Sequence, residues 1–474
     1  MNIEQIYTGC LAQGAYYIES EGEAVIIDPL REIQPYLDMA ERRNAKIKYI
    51  FETHFHADFV SGHVDLAQKT GASIVYGPTD ADLGFEAHIA RDGEVFSLGK
   101  ASFTLVHTPG HTLESSCFLL SDENKKAKAI FTGDTLFIGD VGRPDLAQKS
   151  TAGLTKEKLA SLLFHSLREK IMTLADDLIV YPAHGAGSAC GKNMSSETYD
   201  SLGNQKKSNY ALNPKLSEEE FINQVLDGLQ APPSYFPKNV KMNIQGYDSF
   251  ENVMTRSKKA LNPEEFEFIA NDTHALILDT RSKDEFVKAH IPNSIFIGID
   301  GSFAVWVGTL IPDLKQEILL VCDSGREEEV ITRLARVGYD HAIGYLDGGF
   351  ESWKKANKEI DHLKSISVDQ FIELKATHPK LEVLDVRKPS EFAAEHLENA
   401  LNSPLDFINQ NMAEINKDQE YLMHCKSGYR SVVFGSILKA RGYDNLTNIE
   451  GGFEAIADSK AFVLTDYVCP TSLK

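Results

Sequence analysis

Positive charge is in deficit in this chain, and cysteine is sparse. Lys and Arg number 48 against 69 Asp and Glu, a formal net charge of −21, which argues against non-specific binding to nucleic acid or to an anionic membrane. A small anionic substrate would need local basic residues. The six cysteines, Cys10, Cys117, Cys190, Cys322, Cys425 and Cys469, have neither the dense spacing of a disulfide framework nor the paired spacing of a zinc knuckle. The opening stretch MNIEQIYTGCLAQGAYY lacks a basic segment followed by an apolar one, and no run approaches the roughly 18 apolar residues of a membrane span. These absences point to a cytoplasmic protein. No low-complexity tract stands out, and 42% hydrophobic with 25% charged residues is the balance of an ordinary globular chain.

A length of 474 residues exceeds what one hydrophobic core organises and suggests about three domains. Up to about residue 190, short apolar runs alternate with loops rich in Gly, His and Asp: Ala24 to Ile27, Lys48 to Phe51, Phe103 to Val106, Ala129 to Phe131 and Leu178 to Tyr181. Several stop just before a His or Asp, as strands do when their ends deliver ligands to a cleft. A helix is expected from Ser217, with Glu220 completing a capping box and Pro232, Pro233 and Pro237 closing the segment. Beyond it lies an internal repeat. LILDTRSKDEFVKAHIPNS (276–294) aligns with EVLDVRKPSEFAAEHLENA (382–400), so that Asp279, Arg281, Glu285, Phe286 and His290 match Asp385, Arg387, Glu391, Phe392 and His396 at a constant offset of 106. The expected division is residues 1–258, with a closing helix and connector, then 259–360 and 361–474, each of the last two a small α/β domain with a parallel sheet.

The first domain contains THFHADFVSGH (53–63), HTPGHT (107–112), FTGDTLF (131–137) and YPAHG (181–185). Four strand-end clusters of His and Asp point to a metal, because buried imidazoles and carboxylates are expensive unless paired or coordinated. The chain here resembles the metallo-β-lactamase superfamily, whose T-H-x-H-x-D-H, G-H, G-D and P-x-H elements build a two-metal site. Phe59 stands where the hydrolases of that family place a histidine, so the second metal position lacks a ligand. What remains suits two imidazoles and one carboxylate on one metal, a set that favours Fe(II) with open positions.

The domain also resembles the mononuclear persulfide dioxygenase branch, including its GRPD run, Gly142 to Asp145. That resemblance implies His54, His111 and Asp134 as ligands of one Fe(II) per chain. It places His56, Asp58, His184, Arg143 and Asp145 around them or on the substrate. Arg143 is read either as holding an anionic group or Asp145, or as an exposed loop arginine. His63 and His107 are read as structural, and Cys190 as a small loop cysteine rather than a sulfur relay.

In the last domain an apolar strand ends at Cys425 in YLMHCKSGYRS, and SVVFGSILKARGY reads as an amphipathic helix. A thiolate at a helix N-terminus is stabilised by the dipole and inward N–H groups, and Arg430 could bind sulfite or thiosulfate. This resembles an active rhodanese loop, C-x-x-G-x-R, with Lys426, Ser427, Gly428 and Tyr429 as its anion-binding turn. The equivalent Cys322 is followed by Asp323, and by Glu327 in place of the arginine. These carboxylates would raise the thiol pKa, so that domain reads as degenerate. Cys10 and Cys469 fall outside any recognisable site.

The expected fold is α/β: a metallo-β-lactamase αββα sandwich followed by two rhodanese-like α/β domains with small parallel sheets. The resemblance implies oxidation of a low-molecular-weight persulfide by O2 to sulfite, with rhodanese transfer giving thiosulfate. Glutathione, coenzyme A, bacillithiol or cysteine could carry the persulfide, and a homo-oligomer is implied. The alternative is a glyoxalase II-like zinc thioester hydrolase fused to a sulfurtransferase.

Overall fold

A computed structural model describes residues 1–146, 154–229 and 231–469. It divides into two compact units, residues 1–252 with 334–338 and residues 253–333 with 339–474.

The first unit is built on two six-stranded sheets. One runs Asn2–Thr8, Gln13–Ser20, Glu23–Ile27, Lys46–Phe51, Ser73–Tyr76, His88–Ile89; the other runs Asp200–Ser201, Ile179–Pro182, Ala127–Gly133, Ser116–Ser121, Ala101–His107, Val95–Leu98. Alternate side chains of a strand point to opposite faces. Tyr16 and Ile18 therefore enter the space between the sheets with Phe103, Phe118 and Phe131, while Ala15 and Tyr17 enter the outer layer beneath the helices Gln34–Arg42 and His63–Thr70. Phe51 and Phe118 stack across the gap at 4.3 Å between centroids. Each such fully buried side chain contributes about 1.5–3 kcal/mol. Leu163 of the helix Lys156–His165 and Phe221 of Glu218–Leu226 cover the far side of the second sheet. The result is an αββα sandwich. The helix expected from Ser217 has its full capping box with Glu220.

The second unit contains two five-stranded, all-parallel sheets, ordered Ala260–Leu261, Ala342–Leu346, Ile318–Val321, Leu276–Asp279, Ile295–Phe296 and Ser365–Ile366, Leu446–Ile449, Tyr421–His424, Glu382–Asp385, Leu401–Asn402. The edge strands of both sheets are two residues long and carry no readable period.

The repeated residues do the same work twice. Arg281 pairs with Asp279 at 2.6 Å and lies over Phe350, as Arg387 pairs with Asp385 at 2.6 Å and lies over Phe453. His290 stacks on Phe286 and His396 on Phe392. Cys322 and Cys425 follow the central strand of their respective sheets. The helix after Cys425, Tyr429–Lys439, differs from its expected amphipathic character: Ser431 to Leu438 are all buried. One side covers its own sheet and the other meets the first rhodanese-like domain, where Phe296 N–H donates to Ser436 Oγ at 2.9 Å and Tyr429 Oη–H donates to the Gly298 carbonyl.

Candidate metal centre and sulfur-transfer loop

Four strands of the first unit end at one place. Lys46–Phe51 leads to His54, Ala101–His107 to His111, Ala127–Gly133 to Asp134 and Ile179–Pro182 to His184. Gly133 adopts φ +52°, and a Cβ there would stand 2.5 Å from Thr53 Oγ1, so only glycine lets the strand turn Asp134 inward.

His54, His111 and Asp134 are each at most 2% exposed. Asp28 accepts from Thr53 N–H at 2.8 Å and from Thr53 Oγ1–H at 2.9 Å. Thr53 Oγ1, its proton so committed, accepts from His54 Nδ1 at 3.0 Å. His111 Nδ1 donates to the Arg143 carbonyl at 2.9 Å. Both rings are thereby fixed with Nε2 as a bare lone pair. These Nε2 atoms face Asp134 Oδ2 at 3.8 and 3.4 Å, and that oxygen has no hydrogen-bond partner. An orphaned, charged, buried oxygen is costly unless a cation is near. Bonds of about 2.1 Å to one ion would span spacings of this order.

Burial pulls both histidines toward the neutral form, helped at His54 by neighbouring His56. Against burial, which would raise it, Asp134 is held far below the usual carboxylate range by His184 and His54. The donor set fits a divalent metal.

His56 and Phe59 lie beside this triad. His56 Nε2 is 3.1 Å from Asp28 Oδ1 and 3.6 Å from Glu52 Oε2. Although burial opposes it, Asp28 and Glu52 raise the His56 pKa. The Phe59 ring, fully buried, packs 4.3 Å from the His56 ring. His184 bridges two carboxylates: Nδ1 donates to Asp134 Oδ1 at 2.7 Å and Nε2 is 2.8 Å from Asp58 Oδ2.

Arg143 is not an exposed loop arginine. It is 5% exposed, pairs in two-pronged fashion with Asp145 at 2.6 and 2.7 Å, and donates to the Ala189 carbonyl at 3.2 Å. Gly142 is constrained as tightly: a Cβ there would meet Asp134 O at 2.0 Å and His111 Nδ1 at 2.8 Å. His63 is buried beside Glu52, with burial pushing its pKa down to about 3, and His107 contacts the Leu113 carbonyl.

The sequence reading missed Asp28, Glu52 and Asn243. Asp28 directly follows a strand, the same signal that marked the other clusters. Asn243, from the helix Phe236–Gln245, had no such mark.

In the last domain Cys425 Sγ accepts from Gly428 N–H at 3.1 Å, and Ser431 Oγ lies 3.7 Å away. Gly428 has φ +102°, which suits glycine in a turn ahead of the helix. Lys426 is exposed near Glu454. The Arg430 guanidinium is paired with Glu391 at 2.5 and 2.8 Å. In the preceding domain burial, then Glu327 and Asp323, push the Cys322 thiol up to about 12. Arg326 offers little compensation, being bound to Asp300 and Glu329.

Comparison with known proteins places these features in context. A model of the metallo-beta-lactamase superfamily matches residues 8–184, and one of the rhodanese-like domain matches residues 262–356 and 367–459. A metallo-beta-lactamase from Staphylococcus aureus subsp. aureus COL, known by crystal structure, is 33% identical, with 73% of this chain and 98% of its own covered and a TM-score of 0.64. Hydroxyacylglutathione hydrolase GloC of Haemophilus influenzae is 29% identical over 237 residues, 45% of this chain and 100% of its own. The crystal structure of ETHE1 from Myxococcus xanthus is 27% identical, covering 52% of this chain and 99% of its own with a TM-score of 0.44. The chain therefore belongs to the metallo-beta-lactamase superfamily through its first domain, and carries two rhodanese-like domains after it.

Proposed function

We propose that the chain is a persulfide dioxygenase coupled to a sulfurtransferase. The observation that carries this is the triad of His54 Nε2, His111 Nε2 and Asp134 Oδ2, two neutral imidazoles and one carboxylate, the set suited to Fe(II) with open positions. Bound there, iron would supply a place where a soft sulfur anion and O2 meet, and redox chemistry that zinc cannot offer. The balance is RSSH + O2 + H2O giving RSH and sulfurous acid.

The protein's own residues then have definite tasks. Thr53 and the Arg143 carbonyl hold the two imidazoles in the ligating tautomer, and His184 holds Asp134 by Oδ1 so that Oδ2 faces them. Phe59 contributes a dry wall where an imidazole would recruit a second metal for hydrolysis. On the rhodanese loop, Cys425 takes the outer sulfur of a second RSSH, releasing RSH, and hands it to sulfite, giving thiosulfate and the free Cys425 thiol. Tethering the two activities raises their effective concentration for one another. Fe(II), one per chain, a low-molecular-weight persulfide, sulfite and thiosulfate are the proposed cofactor and partners, with sulfide detoxification in the cytoplasm as the setting.

A second reading, a zinc-dependent thioester hydrolase, is favoured by the alignment with the whole of a hydroxyacylglutathione hydrolase. Iron-loaded and zinc-loaded samples separate the two, each offered glutathione persulfide and S-lactoylglutathione. The proposal expects sulfite from the iron form and negligible thioester cleavage by either. Rapid thioester cleavage by the zinc form, with no sulfite from the iron form, would overturn it.

A further inference from the structure

The two rhodanese-like domains form an internal control, because one fold carries Cys425 in one copy and Cys322 in the other. Beside Cys425 three polar side chains are linked in series. Ser431, the sixth residue after the cysteine, is fully buried. Its Oγ lies 3.7 Å from Cys425 Sγ and 3.1 Å from the Gly428 carbonyl, and donates to Asn448 Oδ1 at 2.7 Å. Asn448, 3% exposed, donates from Nδ2 to Ser365 Oγ at 2.9 Å. That bond fixes the amide so that its oxygen faces Ser431. Cys425 Sγ therefore has two donors within reach, the Gly428 N–H at 3.1 Å and the Ser431 hydroxyl.

None of this is repeated around Cys322. The sixth residue after Cys322 is Glu328, whose side chain is 68% exposed beside Lys258. Ser365 pairs with Asn448 across the sheet as Ala260 pairs with Tyr345, so a methyl and a phenol replace the groups that steady Ser431. The glycine N–H is diverted too: Gly325, the counterpart of Gly428, donates to Glu327 Oε1 at 3.0 Å. Since the same sheet and helices form without them, these polar groups are not a requirement of the fold.

The chemistry of unloading gives them a task. A lone pair on the sulfite sulfur attacks the outer sulfur of the Cys425 persulfide; a new S–S bond forms, the bond from Sγ to the outer sulfur breaks, and its electron pair stays on Sγ. Persulfide anion and sulfite thus become thiolate and thiosulfate, with charge conserved. Negative charge grows on a buried atom, which is costly unless donors meet it. The single Ser431 proton can turn from Asn448 Oδ1 to Sγ by rotation about one bond.

We propose that Ser431 is a catalytic residue of sulfur transfer, donating to Cys425 Sγ as the thiolate leaves, and that Asn448, held by Ser365, positions it. The inference rests on the sulfurtransferase reading of Cys425 and is independent of the metal centre.

The test uses full-length, iron-loaded protein kept anaerobic, so that the metal centre has no O2. It is loaded with glutathione persulfide, freed of excess and mixed with sulfite over a range of concentrations. Rapid alkylation and site-resolved mass spectrometry count the Cys425 persulfide at each time. Ser431→Ala should lower the limiting rate of unloading about tenfold, as loss of a hydrogen bond to a charged atom does, with the half-saturating sulfite concentration unchanged. Loading should not slow, because there the charge passes from Sγ to the glutathione sulfur; normal loading also certifies that the variant is folded. Asn448→Leu should slow unloading in the same way by a smaller factor. Equal slowing of loading and unloading in Ser431→Ala, or unloading at the wild-type rate, would overturn the proposal while leaving the sulfurtransferase reading intact. Wild type that neither loads nor unloads Cys425 would overturn that reading and this inference with it.

Discussion

Replacement of Asn243 should unfasten the metal-binding loop without touching a ligand. Asn243 is 1% exposed, and its amide spans the loop that follows His54. Nδ2 donates to the carbonyls of His56 and Phe59, both at 2.8 Å, and Oδ1 accepts from Ser61 N–H at 2.9 Å. Three buried hydrogen bonds at about 1 kcal/mol net each make Asn243→Ala roughly 3 kcal/mol destabilising, and more if the freed backbone groups stay dry. Asn243→Asp is the sharper probe, since it keeps the size and the Ser61 bond while setting a carboxylate oxygen against two carbonyls.

Both tryptophans, Trp306 and Trp353, lie in the unit of residues 253–333 and 339–474. Their emission therefore reports on the second unit and serves as an internal control. Denaturant-driven release of bound metal, followed with a chromogenic chelator, reports on the first. Both variants should release metal at lower denaturant, Asp at least as early as Ala, and bind it about 10- to 100-fold more weakly, with the tryptophan transition unmoved. A cost below about 1 kcal/mol, or an Asp variant indistinguishable from wild type, would refute the reasoning.

Gly142→Ala should lose metal outright, measured as bound metal per chain, because its Cβ would fall 2.0 Å from Asp134 O. Normal content would show that the backbone there can yield. With its pKa pushed up to about 12 by burial, Glu327 and Asp323, the Cys322 thiol is about one part in 10⁴ thiolate at pH 8. Its alkylation, followed by mass spectrometry, should rise about tenfold per pH unit between pH ~7 and ~9, and speed up in Glu327→Gln. A rate flat over that range, or unchanged in Glu327→Gln, would contradict this. Glu391→Gln removes the carboxylate that occupies Arg430, so the KM for sulfite should fall while the domain loses about 1 kcal/mol. An unchanged or raised KM would mean that Arg430 does not reach the acceptor.

Most of the architecture was legible in the sequence because the informative residues are those whose chemistry is costly to bury. His and Asp at strand ends stood out against apolar runs, and the matched Asp–Arg and Phe–His residues of the repeat revealed two copies of one domain, each residue making the same contact in both. Features set by tertiary contact were not legible. Nothing local shows that Ser431 to Leu438 are buried between their own sheet and a neighbouring domain, that Arg430 turns to Glu391, or that Cys190 sits against Asp58 and His184. Asn243 lies 184 residues from its partner Phe59, too far for any periodicity to connect them.

Oxygen uptake tests the central claim most directly. Anaerobically prepared, Fe(II)-loaded protein is mixed with glutathione persulfide in an oxygen electrode cell, and sulfite and thiosulfate are assayed afterwards. The account predicts one O2 consumed per persulfide oxidised, uptake abolished in His111→Ala, and sulfite retained with thiosulfate lost in Cys425→Ser. Absence of uptake by the iron-loaded wild type with glutathione, coenzyme A, bacillithiol and cysteine persulfides alike would contradict it.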